Sequence, residues 1–215
     1  MKRHEQFLLE NKAWAREMVE ADPEFFNRMS KEQKPEFLWI GCSDSRVSPD
    51  EIAKVQMGEV FIHRNIANLM VPTDINLLSV VQYAVEVLKI KHIIICGHYG
   101  CGGIAAALSD ASFGIIDEWL HGVKDVYQRH REDIDNQPNE EERVNRLVEY
   151  NVREQLLNLA RTDIIRKAWN EHRKPFLHGW VYDMRDGIIK PMLELDPQIS
   201  LEEHERQLQG VRLVV

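Results

Sequence analysis

Residues 91–108 read KHIIICGHYGCGGIAAAL, and the change of pattern inside them decides the fold. The first half carries the β-branched run Ile93, Ile94 and Ile95, too short and too uniformly apolar for an amphipathic helix, which predicts a strand buried on both faces. The second half, after a glycine-rich turn, turns to Ile104 and a row of alanines and predicts the start of a helix. Just upstream, INLLSVVQYAVEVLKI at 75–90 has the strongest helical pattern in the chain and is closed by basic residues. Two further apolar runs, EFLWIGCSDSR at 36–46 and GEVFIHRNIANL at 58–69, each end in a polar stretch and read as strands. Strands alternating with helices predict an α/β fold built on a mostly parallel sheet with right-handed crossovers.

Away from that centre the pattern stays ordinary. QFLLENKAWAREMV at 6–19 is an amphipathic helix that ends near ADPEFF, and 116–172 is helix-rich, with a break at DIDNQPNEEE. KPFLHGWVYDMRDGIIKPMLEL at 174–195 predicts two strands around MRDG, and SLEEHERQL predicts a last helix capped by Ser200. A chain of 215 residues, 44% apolar and 29% charged, suits one sizeable domain. No apolar run nears the roughly 20 residues of a membrane span. Charges interrupt every candidate signal-peptide core near the N-terminus, so the cytoplasm is the expected location. The net charge of -8 argues against nucleic acid and anionic membranes as partners and leaves small molecules open. Three cysteines in so long a chain do not make a disulfide framework, and they direct attention to metal or catalysis.

In a parallel sheet ligands gather at the C-terminal strand ends, and both unusual motifs fall there. Cys42, Asp44, His98 and Cys101 are ligand types that Zn²⁺ prefers; two thiolates and an imidazole make a three-ligand site whose fourth position can be carboxylate or water. Neighbouring strands lie about 4.8 Å apart, so Cys42 can converge with the HYGC pair. Asp44 and Arg46, two apart, can form a bidentate pair, which would withdraw the carboxylate from the metal. Cys96 lies in the apolar run and is expected to be inert. Gly100, Gly102 and Gly103 fit a tight turn or close backbone approach to a small ligand. Dinucleotide, nucleoside-triphosphate and deaminase signatures are absent. His63, His92 and His178 read as structural, while His4, His121, His130, His172 and His204 read as solvated. Trp14, Trp119 and Trp169 read as packing residues.

Taken together, CSDSR, GEVFIHRNIANL, SVVQYAV, HIIICGHYGCGG and HGWVYD, in this order and at these separations, resemble the beta-class carbonic anhydrases. The resemblance implies a single domain over 1–215, with 1–35 as a helical arm packing on a partner subunit, and an antiparallel edge on the sheet. It implies a zinc enzyme, one Zn²⁺ per chain, interconverting CO₂ and bicarbonate. The ligands would be Cys42, His98 and Cys101, with Asp44 and Arg46 as the catalytic dyad. Gln33, Phe61, Ile66 and Tyr83 would form a narrow substrate pocket shared between subunits, which makes a homodimer the minimal unit and a homotetramer the expected assembly. A bacterial subclass with a regulatory bicarbonate site is matched at Trp39, Gly41, Arg64 and Tyr182. There Asp44 would close onto zinc as a fourth ligand, and bicarbonate would inhibit at lower pH. RVSPD departs from the family by carrying its proline at position 49 rather than directly after the valine. Two rival readings are hydrolysis of carbon disulfide or carbonyl sulfide, and a non-catalytic zinc- or bicarbonate-binding module; the second is disfavoured by the presence of both Asp44 and Arg46.

Overall fold

The computed structural model describes residues 2–208. The chain forms two compact units, the first ending at Lys34 and the second beginning at Pro35. In the first, the helix Arg3–Ala21 starts where the Lys2 N–H donates to the Glu5 carboxylate at 2.8 Å. None of its residues is buried, and Phe7, Leu8, Leu9 and Val19 are exposed. Within the unit the Trp14 ring meets the Phe26 ring of the short helix Phe25–Met29 edge-on at 5.6 Å.

The second unit is built on a five-stranded sheet: β1 (Phe37–Cys42), β2 (Val60–Asn65), β3 (His92–His98), β4 (Phe176–Asp183) and β5 (Ile188–Leu195), in the order β2-β1-β3-β4-β5. β1, β2, β3 and β4 are parallel, and β5 pairs antiparallel with β4 as the hairpin signal predicts. β5 lies at the edge, contains Pro191, and faces a register shift between Gly179 and Trp180. Leu38, Ile40, Ile93, Ile95 and Leu177 bury one face of the sheet against Leu77 and Val81 of the helix Ile75–Gln82 and Leu156 and Leu159 of the helix Glu140–Ala160. Trp39, Ile94 and Cys96 form a smaller cluster on the other face.

The helix 75–90 of the sequence is two pieces. Asp74 caps its start by accepting from Asn76 N–H, and after Gln82 the backbone widens to a π-turn over Tyr83–Val87. Between Cys101 and β4 run the helices Gly102–Leu108, Ile115–Trp119, His121–Arg129, Arg131–Asp135, Glu140–Ala160 and Asp163–His172. The longest of these is capped by Asn139, which accepts from Glu142 N–H at 2.9 Å, and it begins with three glutamates that complement the helix dipole. Ser200 caps the last helix, Leu201–Leu208, as expected, accepting from Glu203 N–H at 3.2 Å. Among the described residues no helix is long and apolar enough to cross a membrane.

Two histidines differ from the sequence reading. His204 is buried, with a ring nitrogen 2.9 Å from the Asp196 carbonyl, and the His130 ring stacks on Tyr150 at 3.9 Å. Charged neighbours in sequence misled because on a helix they occupy the other faces.

Candidate metal centre

Cys42 is the last residue of β1 and His98 the last of β3, and these two strands are direct neighbours. Gly100, at φ +64, turns the chain so that Cys101, three residues after His98, comes back to the same point at the start of the helix Gly102–Leu108. Ligand atoms of Cys42, His98 and Cys101 therefore lie within 4.8 Å of one another, all on buried residues. The two sulfurs are 3.9 Å apart. A tetrahedral ion with Zn–S bonds of about 2.3 Å requires a separation of about 3.8 Å.

His98 supplies the second sign of a metal ligand. Its Nδ1 lies 3.1 Å from the Tyr99 carbonyl, which can only accept, so Nδ1 carries the proton and Nε2 a free lone pair. That Nε2 is buried and has no hydrogen-bond partner. An unpaired buried acceptor costs about 1–3 kcal/mol, and a cation bound there removes the cost. The thiol of Cys42 is pushed down by its hydrogen bond with Cys101, against burial, with help from His98 and from backbone hydrogen bonds of Asp44 and Ala67. The same bond with Cys42, then burial, pushes Cys101 up. The sulfurs compete for one proton, and a divalent cation would hold both as thiolates. The donor set thus fits Zn²⁺. Cys96 is free and buried, and burial pushes its thiol up.

Asp44 and Arg46 form the predicted fork. Arg46 Nε donates to Oδ1 at 2.9 Å and Nη2 to Oδ2 at 2.7 Å, while the Arg46 N–H adds a third bond to Oδ1 at 3.0 Å. The Arg46 side chain is the first cause holding the Asp44 carboxyl well below the usual carboxylate range. Oδ2 lies 3.9 Å from His98 Nε2, so the carboxylate borders the ligand cluster while held by arginine.

Arg64 reaches from β2 to the same loop: Nε donates to the Cys42 carbonyl at 2.8 Å, and Nη2 donates to those of Asp44 at 2.6 Å and Val47 at 3.5 Å. Trp39 is buried and meets Trp180 edge-on at 5.9 Å, and Tyr182 packs against the same cluster. Those two sites come together on one sheet face, while the Arg64 guanidinium is turned to backbone carbonyls. Of the pocket residues, Phe61 and Tyr83 have ring centroids 5.9 Å apart, and Ile66 is exposed beside Gly103. Gln33 is an exposed residue of the N-terminal unit.

The helix Glu140–Ala160 holds polar residues, missed by the sequence reading, that contact the loops around the site. Asn145 Oδ1 accepts from Gly100 N–H at 3.1 Å, and Glu149 accepts from the Tyr99 hydroxyl at 2.8 Å, so both brace the HYGC turn. Asn151 Nδ2 donates to the Ala67 carbonyl at 2.9 Å, and Gln155 accepts from Met70 N–H at 2.8 Å while donating to Asn151 at 2.9 Å. The available signal was polar pairs four residues apart, Asn145 with Glu149 and Asn151 with Gln155, inside a face of valines and leucines.

Residues 37–189 match the family model described as carbonic anhydrase. A carbonic anhydrase of Emericella nidulans is 45% identical over 189 residues, which is 88% of this chain and 83% of that protein. Tetrameric beta-carbonic anhydrases of the filamentous ascomycete Sordaria macrospora superpose with a TM-score of 0.87 at 43% identity, over 90% of this chain and 98% of theirs. A β-carbonic anhydrase of the fungal pathogen Aspergillus fumigatus gives 0.86 at 36%, over 97% and 98%. These likenesses carry the class, and not the bacterial subclass suggested by Trp39, Gly41, Arg64 and Tyr182.

Proposed function

The chain belongs to the carbonic anhydrase family, and we propose that it interconverts CO₂ and water with bicarbonate and a proton at a single Zn²⁺ held by Cys42, His98 and Cys101. The observation that carries this reading is the buried, unpartnered Nε2 of His98 facing two sulfurs at 3.9 Å. Bound there, the ion would act as a Lewis acid that activates water for attack on CO₂. Asp44, an acceptor only while ionised, borders the same space and orients the O–H of that water. Arg46 keeps Asp44 ionised and in place. Phe61, Ile66 and Tyr83 supply the apolar wall along which CO₂ enters, with Gln33 completing it from the N-terminal unit of a neighbouring subunit. Two thiolates, from Cys42 and Cys101, would donate more charge to the ion than neutral imidazoles, so its acidifying effect on water would be felt on the alkaline side of neutrality.

The assembly we propose is a homodimer at least, and a homotetramer by likeness to the Sordaria proteins. It is supported by the exposed Phe7, Leu8 and Leu9 on a helix with no buried residue. A regulatory reading rests on Arg64. An anion that recruited its guanidinium, beside Trp39 and Tyr182, would release the carbonyls of Cys42 and Asp44 and free the Asp44 carboxylate to leave Arg46 for the ion. Bicarbonate would then inhibit, most strongly at lower pH, and Tyr182→Phe would weaken that inhibition without loss of alkaline activity.

The decisive experiment is CO₂ hydration by stopped flow on metal-analysed protein. Asp44→Asn keeps all three ligands, so zinc should stay at one per chain while hydration falls about 10²- to 10⁴-fold. Hydration near the wild-type rate in that variant would remove Asp44 from the mechanism, and absence of zinc from active wild-type protein would remove the metal centre.

A further inference from the structure

The amide joining Tyr99 to Gly100 makes a hydrogen bond at each end, and the two lead in opposite directions. Its oxygen lies 3.1 Å from His98 Nδ1, the ring nitrogen that carries the proton. Its N–H donates to Asn145 Oδ1, also at 3.1 Å. In a trans peptide the C=O and N–H point opposite ways, so one flat group spans from the imidazole at the end of β3 to the helix Glu140–Ala160. Neither bond can be reversed, because a carbonyl only accepts and a backbone N–H only donates. Both side chains are buried, Asn145 at 4% and His98 at 1% exposed.

The surroundings leave this amide little freedom. Tyr99 N–H donates to the Tyr182 carbonyl of β4 at 3.0 Å, and the Tyr99 hydroxyl donates at 2.8 Å to Glu149, which also accepts from Arg146 Nη1 at 2.8 Å. Asn145 and Glu149, four residues apart, lie on one side of their helix and hold the amide and the ring of the same turn. Hydrogen bonds in series through one amide polarise one another. With its N–H engaged by Asn145, the Tyr99 carbonyl is a stronger acceptor, and an imidazole held more tightly at Nδ1–H is a stronger donor at its other nitrogen. We infer that Asn145 is a positioning residue of the metal centre: through the Tyr99–Gly100 amide it fixes the tautomer and ring plane of His98 and strengthens Nε2 as a ligand. It does so without touching metal or substrate. The inference rests on the reading of Cys42, His98 and Cys101 as a metal site.

The test reads two quantities, the Nδ1–H proton resonance of His98 in metal-free protein and the Zn²⁺ affinity from chelator competition. Asn145→Leu keeps the size of the side chain and removes the acceptor, while Asn145→Asp keeps the acceptor. Gln155→Leu is the control. Gln155 belongs to the same helix and makes a bond of the same kind, accepting from Met70 N–H at 2.8 Å, but the carbonyl of that amide leads to Asn65 Nδ2 and to no ligand. In Asn145→Leu the ring proton should move upfield and affinity should fall about 10-fold, at the low end for loss of a ligand's hydrogen-bond partner. Asn145→Asp should restore both, and Gln155→Leu should move neither. Either quantity unmoved in Asn145→Leu, an equal change in the control, or a loss that Asn145→Asp fails to restore overturns the proposal. Should Asn145→Leu not fold, the wild type decides. Zn²⁺ on Nε2 makes Nδ1–H a stronger donor, so the scalar coupling across the hydrogen bond from the Gly100 nitrogen to Asn145 Cγ should grow on zinc binding, and a coupling that is absent or unchanged overturns the proposal. A wild type that binds no Zn²⁺ would remove the metal-site reading and this inference with it, whereas the other failures leave that reading standing.

Discussion

Gly97 stands immediately before His98 in the middle strand of the sheet, and Gly97→Ala is a sharp test of how the metal centre is built. A Cβ there would lie 2.7 Å from Val152 Cγ2 and 3.3 Å from Val148 Cγ1. Apolar carbons pack at about 3.5–4.0 Å, so one element must give by roughly 1 Å. β3 cannot, because β1 and β4 flank it on both sides. The helix Glu140–Ala160 resists as well, since moving it stretches the bonds of Asn145 to Gly100, Asn151 to Ala67 and Gln155 to Met70. Overpacking of this kind costs about 1–3 kcal/mol, offset by about 0.5–1 kcal/mol from removing a strand glycine, which leaves a net loss of about 1–2 kcal/mol. Val152→Ala alone should cost about 2 kcal/mol for the lost apolar groups. In the double variant the new methyl fills the space Val152 vacates, so the combined loss should stay near 2 kcal/mol instead of the sum of about 3–4 kcal/mol. Denaturant unfolding of the four proteins, each at the same metal content, measures the coupling. Losses that add to within about 0.5 kcal/mol would refute the steric account.

Cysteine variants should separate sharply: Cys101→Ala should lose bound metal, whereas Cys96→Ala should keep it at one ion per chain and cost roughly 1 kcal/mol by the usual spread of core changes. Zinc analysis after desalting distinguishes them, and full retention by the Cys101 variant would undo the ligand assignment. Acid should act through Asp183, which accepts from Arg185 at 3.0 Å and from Lys190 at 3.1 Å and whose carboxyl is held well below the usual range, first by Arg185. Because the folded value is depressed, its stabilisation is complete above the ordinary value of about 3.9 and is lost as pH falls toward the folded one. Between about pH 5 and pH 3, unfolding midpoints should therefore drop more in the wild type than in Asp183→Asn, and equal drops would rule this pair out as an acid-sensitive contact.

The strands and the ligand trio were legible because each depends on local pattern. Short apolar runs ended in glycine-rich or charged loops, and neighbouring parallel strands had to bring Cys42 to His98 and Cys101. Asp44 and Arg46 were legible for the same reason, being two residues apart on one loop. The π-turn at Tyr83–Val87 was not, because one widened turn leaves the apolar pattern on either side unchanged. Asn145, Asn151 and Gln155 fall in a segment that reads only as helix-rich and charged; their burial follows from two loops, distant in sequence, whose backbone groups they pair. Trp119 read as packing because the partner of its N–H, the Ile66 carbonyl, is a backbone atom far along the chain, which no periodicity reveals. Arg64 is legible as a cation near the site, but only the structure turns it toward the Cys42 and Asp44 carbonyls.

The outermost strand has a bearing on how concentrated this protein can become. An unpaired strand edge is a template on which further chains can add without limit, and natural sheets blunt such edges with proline, charge and irregular twist. β5 carries Lys190, Pro191 and Glu194 within one short stretch, and the register shift opposite Pro191 twists the ladder there. Proline has no N–H to offer an arriving strand. Pairing along this edge can therefore engage a few residues and form a closed assembly, but it cannot propagate as a continuous ribbon. One imino acid in the last hairpin thereby blunts one of the two edges of the sheet, the other being β2.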